Sequence, residues 1–111
     1  MDGTATWGSG TDLTPFPNRP RARKVLATPT AHVVVFSFAA GHELAEHATH
    51  HAAVVHCLRG RVRFTVATPE PAEQVLEPGD VVHLTPQLRH AVTALEDSLI
   101  SVTMLVGAPT D

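Results

Sequence analysis

Five histidines fall inside the segment Gly41 to Gly60, GHELAEHATHHAAVVHCLRG: His42, His47, His50, His51 and His56. His83 and His90 follow beyond a Pro-Gly turn, and His32 precedes them. Neutral imidazole is the commonest protein ligand for Zn, Fe, Ni and Cu ions, so histidine-rich strands form a candidate metal floor. Residues two apart on a strand share a face about 6.5–7 Å apart. From there two imidazoles can lean toward one ion at about 2.1 Å each. Cys57 is the single cysteine, so no internal disulfide forms. Placed among Val54, Val55 and Leu58, it reads as a small buried hydrophobe.

A net charge of −3 gives no electrostatic reason to expect nucleic acid. The one basic cluster, Arg19 to Lys24 (RPRARK), reads as a solvated arm. No apolar run approaches the roughly 18 residues that span a bilayer. The N-terminus, MDGTATWGSGTDLTPFP, lacks the basic start and apolar stretch of a secretory signal. The expectation is one cytoplasmic domain without membrane or nucleic-acid partners.

The elements that must position the histidines are strands. Residues 1–24 read as an extended arm rich in Gly, Thr, Pro and Arg, with Trp7, Leu13 and Phe16 as handles by which it docks. His32 to Phe38 and Ala52 to Leu58 are β-branched and apolar, and Arg61 to Ala67 alternates with Val62, Phe64 and Val66 inward. The short Arg59-Gly60-Arg61 connection reads as a tight hairpin between the last two. Thr68 to Glu73 reads as a loop and Gln74 to Leu76 as a short strand. Glu77-Pro78-Gly79-Asp80 is a turn in which the Asp80 carboxylate can cap backbone amides. Val81 to Leu84, His90 to Leu95 and Ser98 to Val106 complete the set. Short strands with Gly/Pro turns and no helical period give an all-β sandwich or barrel, residues 25–107, with 108–111 as a tail.

Gly41, His47 and Gly60 resemble the first motif of the cupin family, and Gly79-Asp80, Pro86 and His90 resemble the second, with about twenty residues between them. The phrase LEPGDVV from Leu76, followed by RHAVTALEDS from Arg89, is similar to small single-domain bacterial cupins. The resemblance spans Val25 to Val106 and implies an antiparallel jelly-roll barrel, frequently dimeric, with a site in the barrel mouth. It implies no single activity, since that fold hosts dioxygenases, isomerases, epimerases, storage proteins and sensors.

The resemblance also implies a four-ligand metal site, and this chain keeps half of it. His47 matches the first ligand and His90 the last, while the second and third positions hold Thr49 and Ala53. On a straight strand His51 would stand about 13 Å from His47, so it joins the site only if the chain bends, as at a bulge. With such a bend, His47, His51 and His90 make a three-histidine site for Fe, Ni, Mn or Zn, with His50 in reserve. His56 and His83 face outward if Ala53, Val55, Cys57, Val82 and Leu84 face inward; a shift of one residue would turn both into reserve ligands. His32 and His42 go to the surface. Glu43 and Glu46 are solvated turn residues within reach of orienting His47.

Three functions remain open. One is a metal-dependent, dioxygenase-like enzyme acting on a small molecule. Another is a non-catalytic ligand-binding or sensing module, its pocket lined by Val34, Phe36, Val55, Phe64, Val82 and Val92 with His47 and His90 as polar anchors. The third is isomerase or epimerase chemistry, for which a histidine would have to replace the family's tyrosine acid, because the chain has no tyrosine. A homodimer is expected, since a sheet protein of 111 residues has edges to protect.

Overall fold

Alternation of apolar and polar side chains commits most of this chain to half-buried strands. A computed structural model describes residues 3–67 and 70–107, and these contain nine strands. In chain order they are β1 (Arg21–Ala27), β2 (His32–Phe38), β3 (Glu43–His47), β4 (Ala53–Arg59) and β5 (Val62–Val66), then β6 (Ala72–Leu76), β7 (Val81–Leu84), β8 (His90–Ala94) and β9 (Ser98–Met104). One sheet runs β1-β2-β9-β4-β7 and the other β3-β8-β5-β6, with every pairing antiparallel. The two sheets face each other as an all-β jelly roll.

The inner faces supply one core. Phe38, Val55, Cys57 and Ile100 from the larger sheet meet Val62, Phe64, Leu76, Val92 and Ala94 from the smaller. Burial raises the Cys57 thiol above its ordinary pKa. A second, smaller cluster lies on the outer face of the larger sheet, where Leu13 covers Val35 and Leu99. Opposite parity thus sends Leu99 to the arm and Ile100 to the core, and both are buried.

The arm docks on its own sheet. Gly8 and Gly10 lie so close to Val25 that a side chain on either would collide with it. Phe16 lies beneath the guanidinium groups of Arg19 and Arg21, at 4.5 and 4.0 Å. The His42 ring ties arm to barrel, accepting the Ala39 amide at Nδ1 and facing the Pro17 carbonyl with Nε2. Trp7 stays exposed. The boundary expected at residues 24 and 25 falls inside β1, because Arg21 to Lys24 already pair with β2. The tail at 108–111 lies outside the described residues, as do Thr68 and Pro69 of the expected loop; Ala72 and Glu73 of that loop belong to β6.

The Arg59-Gly60-Arg61 connection is not a hairpin. β4 belongs to one sheet and β5 to the other, so Gly60 carries the chain across the sandwich. Its φ of +80° suits glycine, and an added Cβ would strike the Asp97 carbonyl and Ser98. The Ser98 hydroxyl accepts the Arg61 amide at 3.0 Å and so fixes the corner. A short glycine connection fits a corner as well as a hairpin, which is why spacing alone misreads it. Asp80 does cap its turn, accepting the Glu77 amide at 2.8 Å.

The core makes a direct prediction. Ile100→Ala, at a fully buried position, should lower unfolding free energy by about 2–5 kcal/mol. Val75→Ala, on the exposed side of β6, should change it by no more than about 0.5 kcal/mol. Urea denaturation of the three proteins checks both.

Candidate functional site

β8 buries every second residue, His90, Val92 and Ala94, so His90 projects between the sheets. β3 lies alongside, and its last residue, His47, is the direct cross-strand partner of His90. A register shift between Leu44 and His47 sets this match, the kind of irregularity that re-aims a side chain. Ring centroids of the two histidines are 4.3 Å apart, with the planes inclined at 56°. On its other side His90 stacks on Phe64, centroids 5.7 Å apart and planes within 10°. Contacts of this kind contribute about 0.5–1.5 kcal/mol beyond area burial.

Each ring is fixed by a carbonyl two residues before it. His47 Nδ1 is 2.9 Å from the Ala45 carbonyl and His90 Nδ1 is 2.9 Å from the Leu88 carbonyl. A carbonyl only accepts, so both rings carry their proton on Nδ1 and leave Nε2 as a lone pair. Burial holds His90 below the ordinary imidazole pKa; the Leu88 bond opposes that shift and neighbouring His47 adds to it.

Both rings line a cavity of about 80 Å³ between the sheets. Val34, Phe36, Val55, Phe64 and Val92 are among the residues that line it. Val82 does not: β7 is an edge strand, and Val82 lines a separate groove beyond Phe64, beside Leu76 and His83. Leu44, Ile100, Val102 and Met104 complete the cavity wall. The last three follow from the parity of β9 once Ile100 is taken as inward, whereas Leu44 needs the β3–β8 pairing.

Thr49 and Ala53, which occupy the two substituted ligand positions, line the same cavity as His47 and His90. All four positions therefore converge, with two imidazoles, one hydroxyl and one methyl. His51 does not join them. It is exposed in the loop after β3, where its carbonyl accepts the Thr49 hydroxyl at 2.8 Å. The register shift lies before His47 rather than after it, so the bend that would return His51 does not occur there. His50 is exposed and accepts the Gln87 side-chain amide at 2.9 Å. His56 and His83 do not line this cavity, and Glu46 pairs with Arg89 at 2.7 Å.

Among the described residues no three His, Cys, Asp or Glu side chains gather as a metal cluster. The pair itself fits part of such a site. An ion about 2.1 Å from each Nε2 sets ring centres roughly 4.6 Å apart at a right angle and roughly 5.3 Å apart at a tetrahedral one, against 4.3 Å here. With the rings parted slightly, His47 and His90 would hold two corners of an ion, the others left to a guest or to water. Thr49 and Ala53 cannot close the site as carboxylate or imidazole would.

Comparison with known proteins agrees with this architecture. The model of the cupin domain matches residues 34–106. The chain belongs to the cupin family. An RmlC-like cupin from Desulfovibrio desulfuricans superposes with a TM-score of 0.80 at 21% identity, covering 94% of this chain and 98% of that one. A cupin superfamily protein from Desulfitobacterium hafniense gives 0.76 at 18% identity, with 85% and 84% covered. An oxalate decarboxylase from B. subtilis gives 0.79 at 16% identity, covering 98% of this chain but 32% of that one. These likenesses share the cupin fold and carry no reaction with them. No curated protein matches the chain. No helix among the described residues is long and apolar enough to cross a membrane.

The depressed His90 pKa fixes a pH dependence. Above about pH 6.5 the ring is neutral both folded and unfolded. As pH falls through that value the unfolded chain binds the proton first, so stability falls until folded His90 also protonates. Urea melts at about pH 8 and about pH 5 should show a loss on the acid side that His90→Gln reduces; an equal loss in both proteins would contradict the burial of this ring.

Proposed function

We propose that this cupin binds a small molecule in the cavity between its sheets, with His47 and His90 as polar anchors. The observation that carries the reading is the direct pairing of two anchored imidazoles against an otherwise apolar wall. Such a pocket buries the body of a guest on Val34, Phe36, Val55 and Val92 and orients it through the two rings. His47 is exposed and His90 buried, which supports a reading with His47 at the mouth and His90 deeper. Arg89, held by Glu46, and Gln87, held against the loop after β3, keep the rim in place.

A divalent ion is the second reading, favoured by the free Nε2 on both rings and by their cross-strand proximity. Fe, Ni, Mn or Zn bound there would supply Lewis-acid polarisation of a chelating guest, the starting point for dioxygenase-like chemistry. His47 and His90 would hold the ion, and the apolar wall would exclude water from the guest. The proposal takes the protein as cytoplasmic and as a homodimer, the latter because edge strands such as β7 gain by pairing between copies.

Two titrations test the readings. Ligand-observed NMR with a library of small fragments should give hits that Val92→Trp, which fills the cavity, abolishes. Zn²⁺ titration of untagged protein should show binding that His47→Ala or His90→Ala weakens at least about tenfold. Fragment hits without Zn²⁺ binding would leave the ligand-binding reading alone; neither would remove both.

A further inference from the structure

The protons around the cavity are already committed. A neutral imidazole has one N–H, and His47 and His90 each direct theirs at a backbone carbonyl, Ala45 and Leu88. A threonine hydroxyl has one hydrogen, and Thr49 donates its own to the His51 carbonyl at 2.8 Å. Met104, the remaining heteroatom-bearing side chain on the wall, offers a thioether that can only accept. The rest of the lining is hydrocarbon. The side chains of this pocket therefore present lone pairs and no free donor.

We infer that the guest of this pocket is a hydrogen-bond donor, a small alcohol or alkylammonium on a compact branched aliphatic body, and that carboxylates are rejected when no metal ion is present. The inference rests on the ligand-binding reading and gives it a substrate class. A hydroxyl gives its one hydrogen to one of these acceptors, Nε2 of His47, Nε2 of His90 or Oγ1 of Thr49, while an ammonium has three hydrogens to share among them. A carboxylate would bring acceptors against acceptors and leave water for a wall that cannot repay its hydration. The cavity, about 80 Å³, is about half the roughly 150 Å³ of an apolar cavity that admits benzene, so it suits a compact body of few carbons.

Three probes with one carbon skeleton separate the terms: isobutanol, isobutylamine and isobutyrate. Each is titrated into untagged protein, treated with EDTA and dialysed, at about pH 8, where imidazoles at their ordinary pKa are neutral. Binding is read from the ring signals of His47 and His90. Isobutanol and isobutylamine should bind at least about tenfold more tightly than isobutyrate. His47→Lys, which places an ammonium donor at the exposed mouth, should reverse the order in favour of isobutyrate. Isobutyrate binding as tightly as the other two in the parent protein, or an unchanged order in the variant, would overturn the donor inference while leaving ligand binding intact. No binding by any of the three would overturn the inference, and with fragment hits also missing it would overturn ligand binding.

Discussion

The pairing of β3 with β8 at the step from His47 to His90 is the constraint on which the site depends. Residues directly opposite on antiparallel strands hold their Cβ atoms about 4.5–5.5 Å apart, so two imidazoles placed there must meet. Each ring is then locked by a carbonyl two residues earlier, Ala45 on β3 and Leu88 in the loop before β8, at 2.9 Å in both cases. Neither ring needs the other, nor a metal ion, to hold its orientation. The site is preorganised by backbone, and its two rings line the cavity with little further cost in side-chain entropy.

The cavity owes its existence to small residues as much as to apolar ones. Ala53 is fully buried on β4 and Thr49 closes the loop beside it. A glutamate and a histidine at those positions, as the family resemblance implies, would fill the same space with metal ligands. Here a methyl and a hydroxyl leave room, and the surrounding Val, Ile and Phe side chains make that room apolar. Phe64 stands between this cavity and the groove that Val82 lines, and its face supports the His90 ring. One side chain thus separates two spaces and orients a site residue.

Much of the fold was readable in the chain because period-two burial is a local property. β2, β4, β5 and β9 follow from their own alternation, and the inward parity of Val55, Phe64 and Val92 places them on the cavity. What spacing could not supply is pairing. The Gly60 connection looks the same whether the chain turns back or crosses to the opposite sheet, and only the partners of β4 and β5 decide it. β3 escaped recognition because its burial is weak: four of its five residues are exposed. His51 was misplaced for a related reason, since the position of a bulge relative to His47 is a property of the β3–β8 ladder and not of the segment's composition. Val82 had the right parity but stood on the wrong side of Phe64.

The central claim is a distance between two rings from opposite halves of the chain, and nuclear Overhauser spectroscopy measures it directly. With centroids 4.3 Å apart, carbon-bound ring protons of His47 and His90 should give mutual cross-peaks in the apo protein, and His90 should give a second set to the Phe64 ring. Cross-peaks from either histidine to other neighbours, with none between the two, would show that the imidazoles do not share one cavity and would contradict the site.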